Sequence, residues 1–263
     1  MGLTLEMRAA FMACAAVVLT LSGGSSPAAA AEGAPMRGMV HDPCLPMPPG
    51  AADIEARREQ DWAGLCHFQA DDAAIMRGPP VRAVFLGDSI TENWLRLDPS
   101  LFTGGVINRG ISGQTSPQML VRFYADVVAL HPRVVHIMAG TNDLAGNTGP
   151  TSAMQYENNI RAICDLARAN GIRVVLASIP PAAHFPWRPG LEPGPQIVEL
   201  NRWLRDYAAS RKMIFVDYTA VLADASGAMR ADLSEDGVHP ERAGYALMRP
   251  LAERAVAAAM AGK

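Results

Sequence analysis

Short apolar segments alternate with amphipathic segments along most of the chain, and this alternation constrains the fold more than any other feature. From residue 81 onward, five segments rich in branched apolar residues indicate strands, at 81–86, 106–108, 134–138, 172–177 and 213–216. Helical spacing appears between them, as in Tyr156, Ile160 and Ile163, and the last helix is predicted to start at Pro240 and to bury Leu247. Strands this apolar are typical of a parallel sheet covered on both faces. Because crossovers are right-handed, we expect an α/β fold: a three-layer α/β/α sandwich around a five-stranded, doubly wound parallel sheet.

The start of the chain has a different character from the rest. Arg8 precedes the apolar run Ala9 to Leu21, and Ala28 to Ala31 offers small residues for cleavage. We therefore expect residues 1–31 to be a signal peptide and the protein to be exported, to the periplasm or the medium; the alternative is a short membrane anchor. The apolar run is too short for a stable membrane span. Residues 32–80 are predicted to form a linker and an N-terminal helical extension, and residues 81–260 a single folded domain.

Charge and cysteine usage exclude several classes of partner. The net charge is −3 at pH 7 and no basic patch stands out, so no nucleic acid partner is expected. Cys44 and Cys66 flank a short segment outside the predicted core, and since export permits disulfides, we predict that they pair. Cys164 falls at an inward-facing helical position and is predicted to be a buried thiol. No cysteine pair has zinc-ligand spacing and His-Glu-x-x-His is absent, so no metal site is expected.

Four blocks of polar residues and glycines stand near the ends of predicted strands or before a helix. They are Gly87–Ser89, Asn108–Thr115, Gly140–Asp143 and Asp236–Pro240. Each block alone could be an ordinary turn or a helix cap, and Asn142 could simply cap its own backbone. In doubly wound folds, however, ligands bind beyond the carboxyl ends of the strands, which is where all four blocks are expected to meet.

The residue types in these blocks are those that acyl transfer needs. Asp236 and His239, three positions apart on one loop, can place a carboxylate edge to edge with an imidazole. The second ring nitrogen is then free to take a proton from a serine such as Ser89. The side-chain amide of Asn142 could donate into the space above that serine, and glycines in the second block let the backbone approach a ligand closely. No glycine stands two positions after Ser89, so the Gly-x-Ser-x-Gly elbow is absent.

Taken together, the four blocks resemble those of the SGNH (GDSL) hydrolase superfamily, over about 81–256. The residues that carry the resemblance are Gly87–Thr91, the loop that ends in Gly113, Gly140–Asp143 and Asp236–His239. Within the superfamily, the short loops are similar to the platelet-activating-factor acetylhydrolase catalytic subunits and to bacterial carbohydrate acetylesterases. The resemblance implies a flavodoxin-like fold, makes residues 81–260 the hydrolase domain, and implies a secreted carboxylic ester hydrolase.

The resemblance also implies a role for each site residue. Ser89 would be the nucleophile, His239 the general base and then general acid, and Asp236 the group that orients His239. The backbone N–H groups of Ser89 and Gly113 and the side-chain amide of Asn142 would form the oxyanion hole, in which each donor is worth roughly a hundred- to a thousand-fold in rate. No metal or organic cofactor is required by this chemistry.

The substrate is expected to be a small-molecule or carbohydrate ester with a short acyl group, acetyl above all, because no long apolar lid is evident. His184, Phe185 and Trp187, in a proline-rich stretch after the fourth strand, could form a substrate wall or could simply cover the end of the sheet. A lysophospholipase or thioesterase, or an O-acetyltransferase in which an alcohol attacks the acyl-serine, remains open on the same triad. A non-catalytic glycan-binding protein with this fold is the alternative from a different class.

Overall fold

The computed structural model of the protein describes Cys44 and residues 61–262. The predicted signal peptide, residues 1–31, lies outside the described residues, as does the predicted linker up to residue 60 apart from Cys44. Within the part that is described, no helix combines the length and the apolar character needed to cross a membrane.

Five parallel strands form the central sheet, which confirms the predicted fold class. In chain order they are β1 (Ala83–Gly87), β2 (Val106–Gly110), β3 (Val134–Met138), β4 (Arg173–Ala177) and β5 (Ile214–Val216). Their spatial order is β2-β1-β3-β4-β5, which is the flavodoxin-like arrangement. The strand order reverses between β1 and β3, and a ligand crevice opens at this switch point in such sheets.

The carboxyl ends of the three strands around the switch point are level with one another. Gly87, the last residue of β1, pairs with Gly110 at the end of β2 and with Met138 at the end of β3. The loops that leave β1, β2 and β3 therefore start at the same edge of the sheet. Three of the four blocks singled out in the sequence lie on these loops.

Eight α-helices surround the sheet in the described part of the chain. They are α1 (Gln69–Ile75), α2 (Ser89–Leu97), α3 (Ser116–Asp126), α4 (Thr141–Leu144), α5 (Ala153–Ala169), α6 (Gly194–Ser210), α7 (Thr219–Leu222) and α8 (Arg242–Met260). Two short 3₁₀ turns, Pro99–Leu101 and Val128–Leu130, lie between them.

The core is divided by the sheet into two layers, as the period-2 alternation of a strand requires. Val84 and Leu86 of β1 belong to the cluster that contains buried residues of α3, α5 and α6. Ala83 and Phe85 point the other way, into the cluster that contains buried residues of α2 and α8. Every residue of β1 and β3 is buried, because helices cover both faces of the sheet.

The last helix begins later than the sequence predicts. α8 starts at Arg242, with Glu241 extended as its N-cap, and Pro240 belongs to the preceding loop. Leu247, predicted to be buried, is exposed, and its neighbour Met248 is fully buried instead. The prediction that Leu247 is buried was wrong because Leu247 and Met248 are both apolar. The pattern alone does not say which of the two lies on the side of the helix that meets the sheet.

Candidate active site

Ser89, His239 and Asp236 form a continuous hydrogen-bonded chain at the switch point of the sheet. Oγ of Ser89 lies 2.9 Å from Nε2 of His239, and Nδ1 of His239 lies 2.6 Å from Oδ2 of Asp236. Because the carboxylate can only accept, it holds the proton on Nδ1 and leaves Nε2 to accept the hydroxyl proton of Ser89. The two parts of the chain, 150 positions apart in sequence, are thus in bonding contact.

The loop that carries Asp236 and His239 is built by its own residues. Oδ1 of Asp236 accepts the backbone N–H groups of Val238 at 2.9 Å and His239 at 2.8 Å. The hydroxyl of Ser234 donates to the same oxygen at 3.1 Å and accepts the N–H of Gly237 at 3.0 Å. Gly237 has φ +75°, a left-handed conformation that glycine adopts without strain. Oδ1 therefore shapes the loop, and Oδ2 remains for the imidazole.

Hydrogen bonding keeps the carboxyl of Asp236 ionised. Partial burial raises its pKa, but the hydrogen bonds from the His239 ring and from the backbone of His239 and Val238 outweigh burial and lower the pKa to about 2. An ionised Asp236 can stabilise the imidazolium that forms when His239 takes a proton.

Close packing of backbone sets the position of Ser89 at the start of α2. Asp88 caps this helix by accepting the N–H of Ile90 at 2.9 Å. A Cβ on Gly110 would lie 2.2 Å from the backbone nitrogen of Glu92 and 2.8 Å from the backbone oxygen of Asp88. Only glycine lets the end of β2 approach the first turn of α2 this closely, and the approach brings the loop after β2 beside Ser89.

Gly113 and Asn142 lie at the same cleft as Ser89. Among the hydrogen bonds of the described residues, none uses the N–H of Ser89 or of Gly113. Gly113 has φ +79°, which again favours glycine. Neither N–H group therefore has a hydrogen-bond acceptor among the described residues.

Asn142 is held in place by its neighbours. Its Nδ2 donates to the backbone oxygen of Gln114 at 3.0 Å and to Oδ2 of Asp88 at 3.3 Å, and its Oδ1 accepts from Asn147 at 2.7 Å. The contact with Asp88 is the longer of the two that Nδ2 makes, so it is the one that a charged substrate oxygen could displace most easily. Asn142 is thus an oriented amide rather than a residue that caps its own loop.

Two buried acids connect the loops around the site. Asp143 accepts the backbone N–H of Ser116 at 3.0 Å and its hydroxyl at 2.5 Å, which joins the loop after β3 to the start of α3. Asp88 contacts Asn142 across the switch point, as described above. Complete burial raises the pKa of Asp88 to about 6, against the lowering effect of the hydrogen bond from Ile90.

The cleft above Ser89 has a volume of about 680 Å³, and most of the side chains that line it carry polar groups. Beyond Ser89, His239, Gly113 and Asn142, its lining consists of Trp62, Asn93, Ser112, Gln118, Asn147, Thr148, Trp187 and Arg188. The structure therefore adds several residues that sequence reasoning did not single out. Hydroxyl and amide residues between strands are common in any chain, so no local pattern distinguished these.

Of the three residues after β4 that were predicted as a substrate wall, Trp187 lines the cleft and His184 and Phe185 do not. Trp187 lines the cleft, lies with its ring 5.9 Å from that of His239, and donates its indole N–H to Asn147 at 3.2 Å. Phe185 is only 1% exposed and stacks beneath Trp187, so it supports the wall from within. His184 is exposed next to Gly237 and is absent from the cleft lining. Packing of Phe185 against the core therefore leaves Trp187 as the one of the three residues that lines the cleft.

The N-terminal segment, residues 61–77, also contributes to the wall of the cleft through Trp62. The backbone oxygen of Trp62 accepts from Gln118 at 2.6 Å, and that of Ala63 accepts from Gln114 at 2.7 Å. Cys66, a few residues on, is joined to Cys44 by a disulfide. The side chain of Trp62 is 46% exposed although its backbone is anchored. No motif marked Trp62; its nearness to Cys66 was the only signal.

A buried ion pair also holds this segment on the domain. Asp72 of α1 accepts from Nε of Arg109 at 3.0 Å and from its second guanidinium nitrogen at 2.5 Å. The guanidinium carbon of Arg109 lies 4.4 Å above the centre of the Phe68 ring. Arg109 lies in β2, one residue before Gly110, so the ion pair fastens the N-terminal segment to the strand that leads into the loop of Gly113.

Cys164 and the acidic and imidazole groups of the described residues form no metal site. Cys164 is a buried free thiol, and burial raises its pKa to about 12. Among the residues that the structure describes, no group of three or more His, Cys, Asp or Glu side chains is placed to hold a metal ion.

Solved structures share this fold and in part this sequence. A GDSL-like lipase from Bacteroides thetaiotaomicron is 42% identical, with a TM-score of 0.72, over 76% of this chain and 100% of that chain. An acetylxylan esterase from Geobacillus stearothermophilus is 23% identical, with a TM-score of 0.53, over 68% of this chain and 95% of that chain, which shows a common fold.

Sequence comparison leads to the same group of enzymes. Esterase TesA of Pseudomonas aeruginosa is 27% identical over 182 residues, which is 67% of this chain and 83% of that protein. The model of the GDSL-like Lipase/Acylhydrolase family matches residues 85–247, which include Ser89, Gly113, Asn142, Asp236 and His239. With its parallel sheet and its hydrogen-bonded serine, histidine and aspartate, the chain belongs to the GDSL-like lipase/acylhydrolase family and is an ester hydrolase.

Proposed function

We propose that this ester hydrolase removes short acyl groups, acetyl above all, through an acyl-serine intermediate on Ser89. The observation that carries the proposal is the chain of contacts from Ser89 through His239 to Asp236, at 2.9 Å and 2.6 Å. These are hydrogen-bond distances for a nucleophile, a general base and the group that orients the base.

In this mechanism, His239 moves protons between the reacting oxygens. Nε2 of His239 takes the hydroxyl proton of Ser89 as the Ser89 oxygen bonds to the ester carbonyl carbon. The tetrahedral intermediate then breaks its bond to the alcohol, which leaves with the proton from Nε2. Water attacks the acyl-serine, gives its proton to Nε2, and the carboxylic acid departs as Ser89 recovers its proton. Asp236 stabilises the imidazolium in both halves of the reaction.

The oxyanion that forms in each half would be met by three donors. The N–H groups of Ser89 and Gly113 have no acceptor in the described part of the chain and line the cleft. The amide of Asn142 would become the third donor by exchanging its 3.3 Å contact with Asp88 for the oxyanion, which carries a full charge.

The lining of the cleft supports a short acyl group. Apart from the two indoles of Trp62 and Trp187, the side chains that line it carry hydroxyl, amide, imidazole or guanidinium groups. A long acyl chain would have to lie against these groups and would leave them without hydrogen-bond partners. An acetyl group needs no such surface.

Export of the protein is part of the proposal. Residues 1–31 would be removed as a signal peptide, residues 32–80 would extend the domain, and residues 81–260 would form the hydrolase domain. The disulfide between Cys44 and Cys66 supports export, because disulfides persist in oxidising compartments.

The test of the proposed chemistry is hydrolysis of p-nitrophenyl acetate by the wild type and by Ser89→Ala. We expect Ser89→Ala to lose at least about a thousand-fold in kcat, since removal of a nucleophile disables the whole triad. Ser226→Ala, at an exposed turn, is the matched control and should retain full activity. Turnover by Ser89→Ala at the wild-type rate would refute the role of Ser89.

Acyl specificity is tested with p-nitrophenyl esters from acetate to laurate. The proposal expects kcat/KM to be highest for acetate and to fall steadily with chain length. A maximum at octanoate or beyond would refute the short-acyl proposal while leaving the ester hydrolase intact. Parallel assays of an acetyl thioester, and of acetyl transfer to an added alcohol, distinguish the thioesterase and O-acetyltransferase alternatives.

A further inference from the structure

A second cavity adjoins the active-site cleft, and no step of the proposed mechanism uses it. Its volume is about 460 Å³. Trp62 and Thr148 line both this cavity and the cleft that contains Ser89, so the two spaces share a wall. A ligand that reacts at Ser89 and continues past Trp62 would therefore enter the second cavity.

The first turns of α5 supply most of the polar groups in this cavity. Gln155, Asn158 and Asn159 are spaced as i, i+3 and i+4, which places them on one face of the helix. The remaining lining residues are Pro117, Pro150 and Thr151.

Each of the three amides keeps one polar atom for a ligand. In the described part of the chain, Gln155 uses Oε1 to cap α5, Asn158 uses Oδ1 to accept from Arg161, and Asn159 uses Nδ2 to donate to Ser116. This leaves the amide nitrogens of Gln155 and Asn158 as donors and Oδ1 of Asn159 as an acceptor. The cavity thus offers donors and an acceptor on one surface.

The chemistry of this lining matches a neutral sugar. Sugar hydroxyls both donate and accept, as the lining amides and hydroxyls do, and the apolar face of a sugar ring can pack on an indole. None of the residues that line the cavity is charged, so an anionic ligand would find no ion-pair partner there. A fatty chain would bury the amides unpaired, at a cost of roughly 1–3 kcal/mol for each group.

Trp62 is held ready for such a contact. Its backbone oxygen is bound by Gln118, and the N–H groups of Leu65 and Cys66 donate to Asp61 at 2.7 Å and 2.8 Å. The indole is thus exposed on a backbone that is already ordered, which lowers the entropy lost when a ligand binds.

We propose that the second cavity binds a sugar unit of a carbohydrate chain, so that the acetyl ester cleaved at Ser89 is carried by an oligosaccharide that passes over Trp62. This inference rests on the proposed esterase function and names its substrate class. It makes Trp62 and Asn158 specificity residues for the length of the sugar chain.

The first test compares kcat/KM for O-acetylated xylotetraose with that for O-acetylated xylose. The wild type should favour the tetramer by about tenfold or more, which corresponds to about 1.4 kcal/mol of added binding. Trp62→Ala and Asn158→Leu should each bring the ratio close to one. Met154→Ala is the matched control, since Met154 is exposed on the same helix and lies outside the lining; it should keep the wild-type ratio.

A binding measurement separates this inference from the proposed function. Calorimetry of unacetylated xylotetraose with Ser89→Ala requires no turnover, and adding Trp62→Ala should weaken Kd by about tenfold or more. A wild-type ratio of one together with no binding to Ser89→Ala would overturn the inference, even if p-nitrophenyl acetate is hydrolysed through Ser89. Conversely, Trp62-dependent binding without Ser89-dependent hydrolysis would support the cavity and refute the esterase mechanism.

Discussion

At the scale of single residues, Asp88 links the nucleophile to the proposed oxyanion hole. One of its carboxylate oxygens caps the helix that begins at Ser89, and the other accepts from Asn142. Asp88, which is only 2% exposed, thus holds both the first turn of α2 and the amide of Asn142 at the switch point. Burial therefore disfavours the ionised carboxylate and raises its pKa, and this must appear in the pH dependence of stability.

We predict that Asp88→Asn alters how the free energy of unfolding changes with pH. The pKa of Asp88 is raised by burial to about 6 in the folded protein, against 3.8 for a free side chain. The folded state therefore binds the proton of Asp88 more tightly than the unfolded state does. The resulting contribution of Asp88 to the free energy of unfolding is fully present below pH ~4 and is lost as the pH rises through about 6. The loss is on the order of 3 kcal/mol.

Urea unfolding at several pH values between 4 and 7.5 measures this effect. The stability of the wild type relative to Asp88→Asn should fall as the pH rises across this range, because the asparagine does not titrate. A constant difference between the two proteins would contradict burial of an ionisable Asp88.

At the scale of elements, the junctions between strands and helices decide where Ser89 lies. The end of β2 meets the first turn of α2 backbone to backbone at Gly110, with no room for a side chain. Loop geometry at Gly237 and Gly113 then aims the other groups at the same space.

We predict that Gly110→Ala is strongly destabilising and lowers activity. Its added methyl would meet backbone atoms of α2 that cannot turn aside, so β2 and α2 must separate, at a cost of at least about 2 kcal/mol. Gly171→Ala is the matched control: Gly171 has φ +72° and open space around it, so alanine there costs only strain, roughly 1–2 kcal/mol. Urea unfolding compares the two, and p-nitrophenyl acetate turnover reports the displacement of Ser89. If Gly110→Ala lost no more free energy of unfolding than Gly171→Ala, the junction between β2 and α2 would tolerate a side chain.

At the scale of the whole molecule, the site is shared by parts of the chain that are far apart in sequence. The segments that follow β1, β2 and β3 supply Ser89, Gly113 and Asn142, and the loop before α8 supplies Asp236 and His239. The N-terminal segment closes one side with Trp62 and is fastened by an ion pair to Arg109 and by the disulfide between Cys44 and Cys66. The cleft therefore depends on a segment that lies outside the matched family region, residues 85–247.

We predict that removing this disulfide lowers stability. Cys44 and Cys66 are separated by 22 positions, and closing a loop of that length contributes up to about 3 kcal/mol through the entropy of the unfolded chain. A reductant should lower the unfolding temperature of the wild type. It should have no effect on the double variant Cys44→Ala, Cys66→Ala, since Cys164 is a free thiol. An identical response of both proteins to reductant would contradict the prediction.

Strand positions were predictable because the strands are short apolar segments, of which β1 and β3 are buried at every residue. Each of the five strands overlaps the segment predicted for it. The positions of the polar blocks at the ends of β1, β2 and β3 were therefore predictable as well. It was less predictable which side chains point into the core and which line the cleft. Phe185 and Trp187 are both aromatic, and the choice between core and cleft depended on how the loop packs on the sheet.

The sequence by itself determined the class of fold and brought Ser89, Asn142 and the Asp236–His239 loop to one edge of the sheet, because strand hydrophobicity and local loop hydrogen bonds depend on neighbours in the chain. Only the tertiary structure decided that Trp62 lines the cleft, that α5 lines the adjoining cavity and that Phe185 lies beneath Trp187. Those contacts join residues distant in sequence, and their free energy comes from burial and hydrogen bonds that exist only once the elements have packed together.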